Sequence, residues 1–256
     1  MIKFFRKIRY DLMAKNKTGK YFKYAIGEIV LVVIGILFAL QINTWNENRK
    51  ATNEEVKILY ALQADFKITK ERIQKTMVEQ SRVLRYSEIL INIHERQNRT
   101  EYEFFNTHLD SLDNLINYGS AWYRAEPVTG AYKSLISAGK IDLIQNESLR
   151  HLLAQFIADF ESGFEDQESS MHLLNTINQE ISGFTLKIGS NKFRKRFNIT
   201  PRKKDSYDIA ETFFTNDSFF GNLYTKLFIE SNRLKRQELM LTHTNSILEL
   251  INDEIK

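Results

Sequence analysis

The chain has 256 residues, two prolines, ten glycines, no cysteine and a formal charge of +4. The absent cysteines exclude disulfides, thiolate chemistry and cysteine-ligated zinc, and the scarcity of breakers predicts a mostly helical molecule. Charge is unevenly placed. Residues 1–24 hold eight Lys or Arg against Asp11, and the run from Lys192 to Lys204 holds seven with no acid, so the remainder is acidic. That is not the pattern of a general nucleic-acid binder, and no nucleic-acid partner is expected.

Residues 1–23 form a basic arm. Ile2, Phe5, Ile8 and Leu12 share one helical face, with Lys3, Arg6, Lys7 and Arg9 around it. Such a helix suits an anionic inner leaflet; a simple positive-inside signal accounts for the same charges.

Residues 24–45, "YAIGEIVLVVIGILFALQINTW", come next. A helix of this length rises about 33 Å, close to the roughly 30 Å hydrocarbon thickness of a bilayer. From Ile29 to Leu40 it is apolar all round, and Glu28, Gln41, Asn43 and Trp45 lie near its edges, where water and headgroups reach. An uncleaved signal anchor is expected. The alternatives are a cleaved signal peptide, although no small-residue cleavage site follows Leu40, and a buried core helix. The Lys and Arg bias places the N-terminus in the cytoplasm and residues 46–256 outside. Glu28 is read as a snorkelling edge residue or a partner for Lys20 or Lys23, with a functional intramembrane acid as the other reading. Gly27 and Gly35 share a face able to pack a second span.

The run from Met1 to Glu47, and a later block, "GAYKSLISAGKIDLIQNESLRHLLAQF", resemble an uncharacterised family of short single-span envelope proteins from flavobacteria and their relatives. The resemblance implies a bacterial inner-membrane protein with a helical exported part. It brings no catalytic residues.

Three long segments of the exported part repeat apolar residues at spacings of three and four. The first, within 53–97, reads Leu59, Leu62, Phe66, Ile73, Met77, Leu84 and Ile91. The second follows an Asn146 N-cap with Leu149, Leu153, Phe156, Phe160, Met171, Leu174, Ile181 and Ile188. The third reads Leu223, Leu227, Leu234, Leu241, Leu248, Ile251 and Ile255. Thr69, Gln80, Gln167, Gln237 and Thr244 interrupt these seams as register-setting polar residues. Two shorter helices are expected at about 101–117 and 129–138, the latter capped by Thr129 and ended by Gly139. Taken as one return leg, they complete an all-α fold: one N-terminal transmembrane helix, then an elongated antiparallel four-helix bundle with one broken leg. "NENRKAT" holds no breaker, so the span and the first long helix are expected to be continuous.

Two places carry candidate binding residues. The break, "YGSAWYRAEPVTGAY" at 118–132, concentrates Trp122, Tyr123, Arg124, Glu126 and Tyr132, which suit a small anion, an amine or a peptide. The plainer reading is that these rings fill the gap left by the broken helix. The other place is a loop with Lys192, Arg194, Lys195, Arg196, Arg202, Lys203 and Lys204 interleaved with Phe193 and Phe197. It suits an anionic partner, or is a solvated loop pinned by its phenylalanines.

No catalytic, phosphate-loop or metal motif occurs. Glu168 and His172 share a helix face but are commonplace at that spacing, and His94, His108, His151 and His243 are scattered. Neither catalytic nor metal-ligating residues, nor any cofactor, is expected. The sequence points to a membrane-anchored, non-catalytic interaction or sensory module of the envelope, partnered by the bilayer, another envelope protein and a second copy as homodimer. An arm of 23 residues holds no output domain, so a sensory role requires that other protein. The alternative is an envelope enzyme acting on lipid or polymer near residues 118–132.

Overall fold

The computed structural model describes Tyr10 and residues 18–162, 165–188, 196–199 and 208–256. Most of the arm and of the Lys192–Lys204 loop, including Lys192, Arg194, Lys195, Arg202, Lys203 and Lys204, lies outside these residues. The described residues are all-α, with no strand among them. The helices are α1 (Thr18–Arg96), α2 (Arg99–Thr107), α3 (Leu109–Gly119), α4 (Gly130–Ser137), α5 (Glu147–Ser162), α6 (Glu165–Ile188), α7 (Ile209–Phe214) and α8 (Asp217–Ile255), with a 3-10 turn at Ile141–Leu143. The chain divides into two compact units, Met1–Lys57 and Ile58–Lys256.

In the first unit α1 contains the only stretch among the described residues that is long and apolar enough to cross a membrane. Ile29, Leu31, Phe38, Ile42 and Trp45 are 60–65% exposed, whereas a core helix would bury them. Near the polar end Asn43 donates to Glu47 at 3.0 Å, and the Arg49 guanidinium lies 5.3 Å from the Trp45 ring centre.

In the second unit α1 buries Leu59, Leu62, Phe66, Thr69, Ile73, Thr76, Gln80, Val83, Ser87 and Leu90. Their spacing alternates strictly between three and four, a heptad seam. The expected seam left this register at Met77. Met77, Leu84 and Ile91 are only partly buried, and the residues one position earlier, Thr76, Val83 and Leu90, take the core. The same displacement occurs in α8, where Lys226, Glu230, Gln237, Met240 and Thr244 are buried while Leu227, Leu234 and Leu241 are not fully covered. α1 and α8 pair antiparallel: Gln63 donates to Asn252 at 2.6 Å and Gln80 to Glu230 at 2.9 Å.

Two hydrophobic clusters lie along this unit. One joins Leu59, Leu62, Phe66 and Ile73 of α1 to Leu135, Ile144, Leu149, Leu153, Phe156 and the end of α8, with Phe66 edge-on to Phe156 at 5.1 Å. The other joins Leu90 and Ile93 to Tyr102, Phe105, Leu112, Ile116, Ile177 and the phenylalanines of "ETFFTNDSFF". Phe213, Phe214, Phe219 and Phe220 pack there, mostly edge-on or tilted, with centroids 4.9–6.0 Å apart. The sequence reading had passed over this aromatic group because it breaks the helical period at the Thr215–Asn216 corner.

The expected 101–117 helix is two helices, divided at His108, whose ring stacks on Phe104 at 4.2 Å and whose Nδ1 contacts the Phe104 carbonyl at 2.9 Å. The second long segment is described as α5 and α6, with residues 163–164 and the Gln167 side chain outside the described residues. Asn146 caps α5 through the Leu149 amide at 2.9 Å. Gly139 ends α4 at φ +64°, with the Lys140 amide bonded back to the Leu135 carbonyl at 3.0 Å. Thr129, however, makes no side-chain cap on α4; Asp65 of α1 accepts from the Ala131 amide at 2.8 Å instead.

Where α3 ends, its backbone approaches α1 closely. A Cβ on Gly119 would lie 2.8 Å from Leu90 Cδ1 and 3.3 Å from the backbone of Tyr86 and Ser87. Gly119→Ala is expected to lower the unfolding free energy of the full chain in detergent by about 1–3 kcal/mol, the usual cost of overpacking, read by guanidinium denaturation.

Candidate functional site

Residues 121–129 are neither helix nor strand. Their backbone groups therefore need partners from elsewhere, since buried N–H and C=O groups are costly when unpaired. Pro127 disfavours helical geometry for Glu126 and removes one donor. Both long helices stitch the segment down. From α1, the Arg72 guanidinium donates to the Glu126 carbonyl at 3.0 Å and the Thr69 hydroxyl accepts from the Val128 amide at 2.9 Å. From α8, Arg233 donates to the Tyr123 carbonyl at 2.7 Å. At the end of α3, the Gly119 carbonyl accepts from Ser87 Oγ at 2.8 Å and from Lys226 Nζ at 3.4 Å.

Below the segment sits a layer of charge. Glu230, 1% exposed, lies 2.8 Å from Arg233 and 3.9 Å from Lys226, and accepts from Gln80 Nε2. Burial pushes the Lys226 ammonium down to about 8; Glu230 opposes that shift and Arg233 adds to it. The Arg233 guanidinium also lies 4.7 Å from the Trp122 ring centre. Gln80 Oε1 and Trp122 Nε1 are buried without a hydrogen-bond partner among the described residues.

Above the layer opens a groove of about 970 Å³. One wall is the α1 face with Arg72, Lys75, Thr76, Glu79 and Arg82, and the other is Tyr118 with Trp122, Tyr123, Arg124, Ala125 and Glu126. Arg82 pairs with Glu79 at 2.7 Å and lies 5.8 Å from the Tyr118 ring, which itself meets Tyr86 at 5.1 Å. Four of the five residues singled out at the break (Trp122, Tyr123, Arg124 and Glu126) thus share one groove. Tyr132 does not line it. It packs against the hydrophobic cluster containing Leu135, and burial, then Glu161, raises its hydroxyl pKa. The α1 wall, with Arg72, Lys75 and Arg82, was missed by sequence; its only signal is basic residues at spacings of three and seven on the exposed side of a seam.

Of the basic loop, Arg196 is described, 5.6 Å from the Phe197 ring. No group of three His, Asp or Glu side chains placed to hold a metal occurs among the described residues.

The fold and groove describe an all-α protein with one helix apolar enough for a membrane and a basic, aromatic recess in its larger unit. Residues 28–232 match a family model described as a family of unknown function (DUF6090), and the chain belongs to this family. The match includes the groove walls, Lys226 and Glu230, and ends one residue before Arg233. No curated protein and no solved structure matches the chain.

The folded Lys226 pKa of about 8 lies below its ordinary 10.5. Between these values the unfolded chain holds more protons, so stability rises with pH, by up to about 1.4 kcal/mol per pH unit. Below pH 8 both states are protonated and the cost is constant. Tyr102 and Tyr132, whose pKa values are raised from 10.0, act oppositely but at higher pH. Guanidinium unfolding of the full chain in detergent should therefore show stability rising from pH 8 to 9.5, and Lys226→Met should flatten that rise.

Proposed function

We propose that this chain is a membrane-anchored, non-catalytic interaction or sensory module of the bacterial cell envelope. In this reading residues 24–45 span the inner membrane, the N-terminus is cytoplasmic, and residues 46–256 form an elongated, exported four-helix bundle with one broken leg. The family is then one of flavobacterial envelope proteins and their relatives. The groove between α1 and the 118–126 segment is the face that meets a partner.

One observation carries the reading. The chain maintains a non-helical segment over a buried ion layer, with five hydrogen bonds from α1 and α8 holding residues 119–128, and so presents aromatic and cationic side chains in one recess. Such a recess supplies fixed charges and ring faces suited to holding a partner. The apolar, exposed stretch of α1 supports the anchor, and the eight Lys or Arg before it support the orientation.

Because the chain has no cysteine, single cysteines report topology directly. Lys3→Cys and Arg99→Cys are the variants of choice, Arg99 having a side chain 82% exposed. In spheroplasts treated with a membrane-impermeant maleimide, Arg99→Cys should label and Lys3→Cys should label only after lysis, with both proteins in the membrane fraction. The reverse pattern would place the groove in the cytoplasm and sink the envelope reading.

A further inference from the structure

We propose that the groove binds an extended acidic peptide segment of a partner protein. This rests on the reading of the groove as the binding face and adds the chemistry of the occupant.

Three features select that chemistry. The first is charge. Arg72, Lys75, Arg82 and Arg124 line the groove against Glu79 and Glu126, and Glu79 is already paired with Arg82. Lys75 makes no hydrogen bond or ion pair among the described residues, so its ammonium is available to a carboxylate. The second is backbone. The amides of Trp122, Tyr123, Ala125 and Glu126 donate to no acceptor among the described residues, although two carbonyls of the same stretch are taken by Arg72 and Arg233. Unused amide donors on a segment outside helix and strand can meet the carbonyls of a bound peptide. The third is the ring of Trp122. It lines the groove with Arg233 against it at 4.7 Å, and gives an apolar side chain of a peptide a surface to pack on.

Dimensions agree. From Arg72 to Arg82 the α1 wall runs about 15 Å, enough for four or five extended residues at about 3.3 Å each. An anionic polysaccharide would satisfy the cations, but it has no regular row of amide carbonyls to meet the free donors. A peptide uses all three features, so it is the occupant the groove fits.

The experiment is a selection from a random octapeptide phage library on the full chain in nanodiscs, with empty nanodiscs as counter-selection. Peptides enriched in Asp and Glu are expected. Synthetic copies should bind at least tenfold more weakly to Lys75→Glu and to Arg124→Glu, with no change on Lys235→Glu, a charge reversal away from the groove. Unchanged guanidinium unfolding of the two groove variants will show that they remain folded, and Trp122→Ala should weaken the same peptides without altering their preference for acids. A pool that is not enriched, or is enriched without acids, overturns the acidic-peptide assignment. Non-acidic peptides still lost on Trp122→Ala would leave the groove standing as a site. Acidic peptides that bind every groove variant equally would overturn the groove itself. Polygalacturonate competing while every synthetic peptide fails would reassign the occupant to a polymer.

Discussion

The larger unit depends on how one non-helical segment between helices satisfies its backbone. A helix pairs its own N–H and C=O groups, and residues 121–129 give that up. Several of the missing partners come from side chains of the two longest helices, at and beside their buried seams. Thr69, at a seam position, accepts from Val128, and Ser87, at another, donates to Gly119. Asp65 and Arg72 flank the same seam and hold Ala131 and Glu126. The polar residues that seem to weaken the heptad of α1 are therefore the ones that hold the break open. Replacing them with leucine would improve the coiled-coil pattern and remove the partners that α1 gives the segment.

The charged layer follows from the same constraint. Two cations are needed near the end of α3, Lys226 for the Gly119 carbonyl and Arg233 for the Tyr123 carbonyl, and both lie where water is largely excluded. Desolvating them is costly, and Glu230 with Gln80 repays part of that cost through short contacts. The depressed pKa of Lys226 is the residue of an incomplete repayment. The layer separates the two hydrophobic clusters, each of which is apolar enough to fix its own end. What the layer contributes is register: Gln80 can meet Glu230 in only one alignment of α1 with α8, so a slip of one heptad would strand a buried carboxylate.

The apolar stretch of α1 obeys a different solvent rule. Between Ile29 and Trp45 its large side chains are 43–65% exposed, and apolar area left in water costs roughly 25 cal/mol per Å². An aqueous helix of this composition would collapse onto something. The polar side chains at its end do not contradict this, since Asn43 and Glu47 satisfy each other within one helical turn and Arg49 lies against Trp45. Such pairs suit a boundary between two media, where one end of each side chain remains wet.

How much of this was legible in the sequence follows from the same physics. Helix content, the apolar stretch, the Asn146 cap and the Gly139 stop depend on local chemistry, and they are where the residues place them. The seam drifted at Met77 because a search for apolar repeats follows Met77, Leu84 and Ile91, while the packed core runs through Thr76, Gln80 and Ser87. Ser87 and Gln80 are held there by partners about 30 and 150 residues away, in Gly119 and Glu230. The Thr129 cap failed for a related reason, because Asp65 arrives from another helix to do its work. At the site, the aromatic residues of the break stand out as composition, so Trp122, Tyr123, Arg124 and Glu126 were found. Arg72, Lys75 and Arg82 look like any solvated helix face until the segment is laid across them. A groove has two walls, and only the irregular one leaves a mark in the sequence.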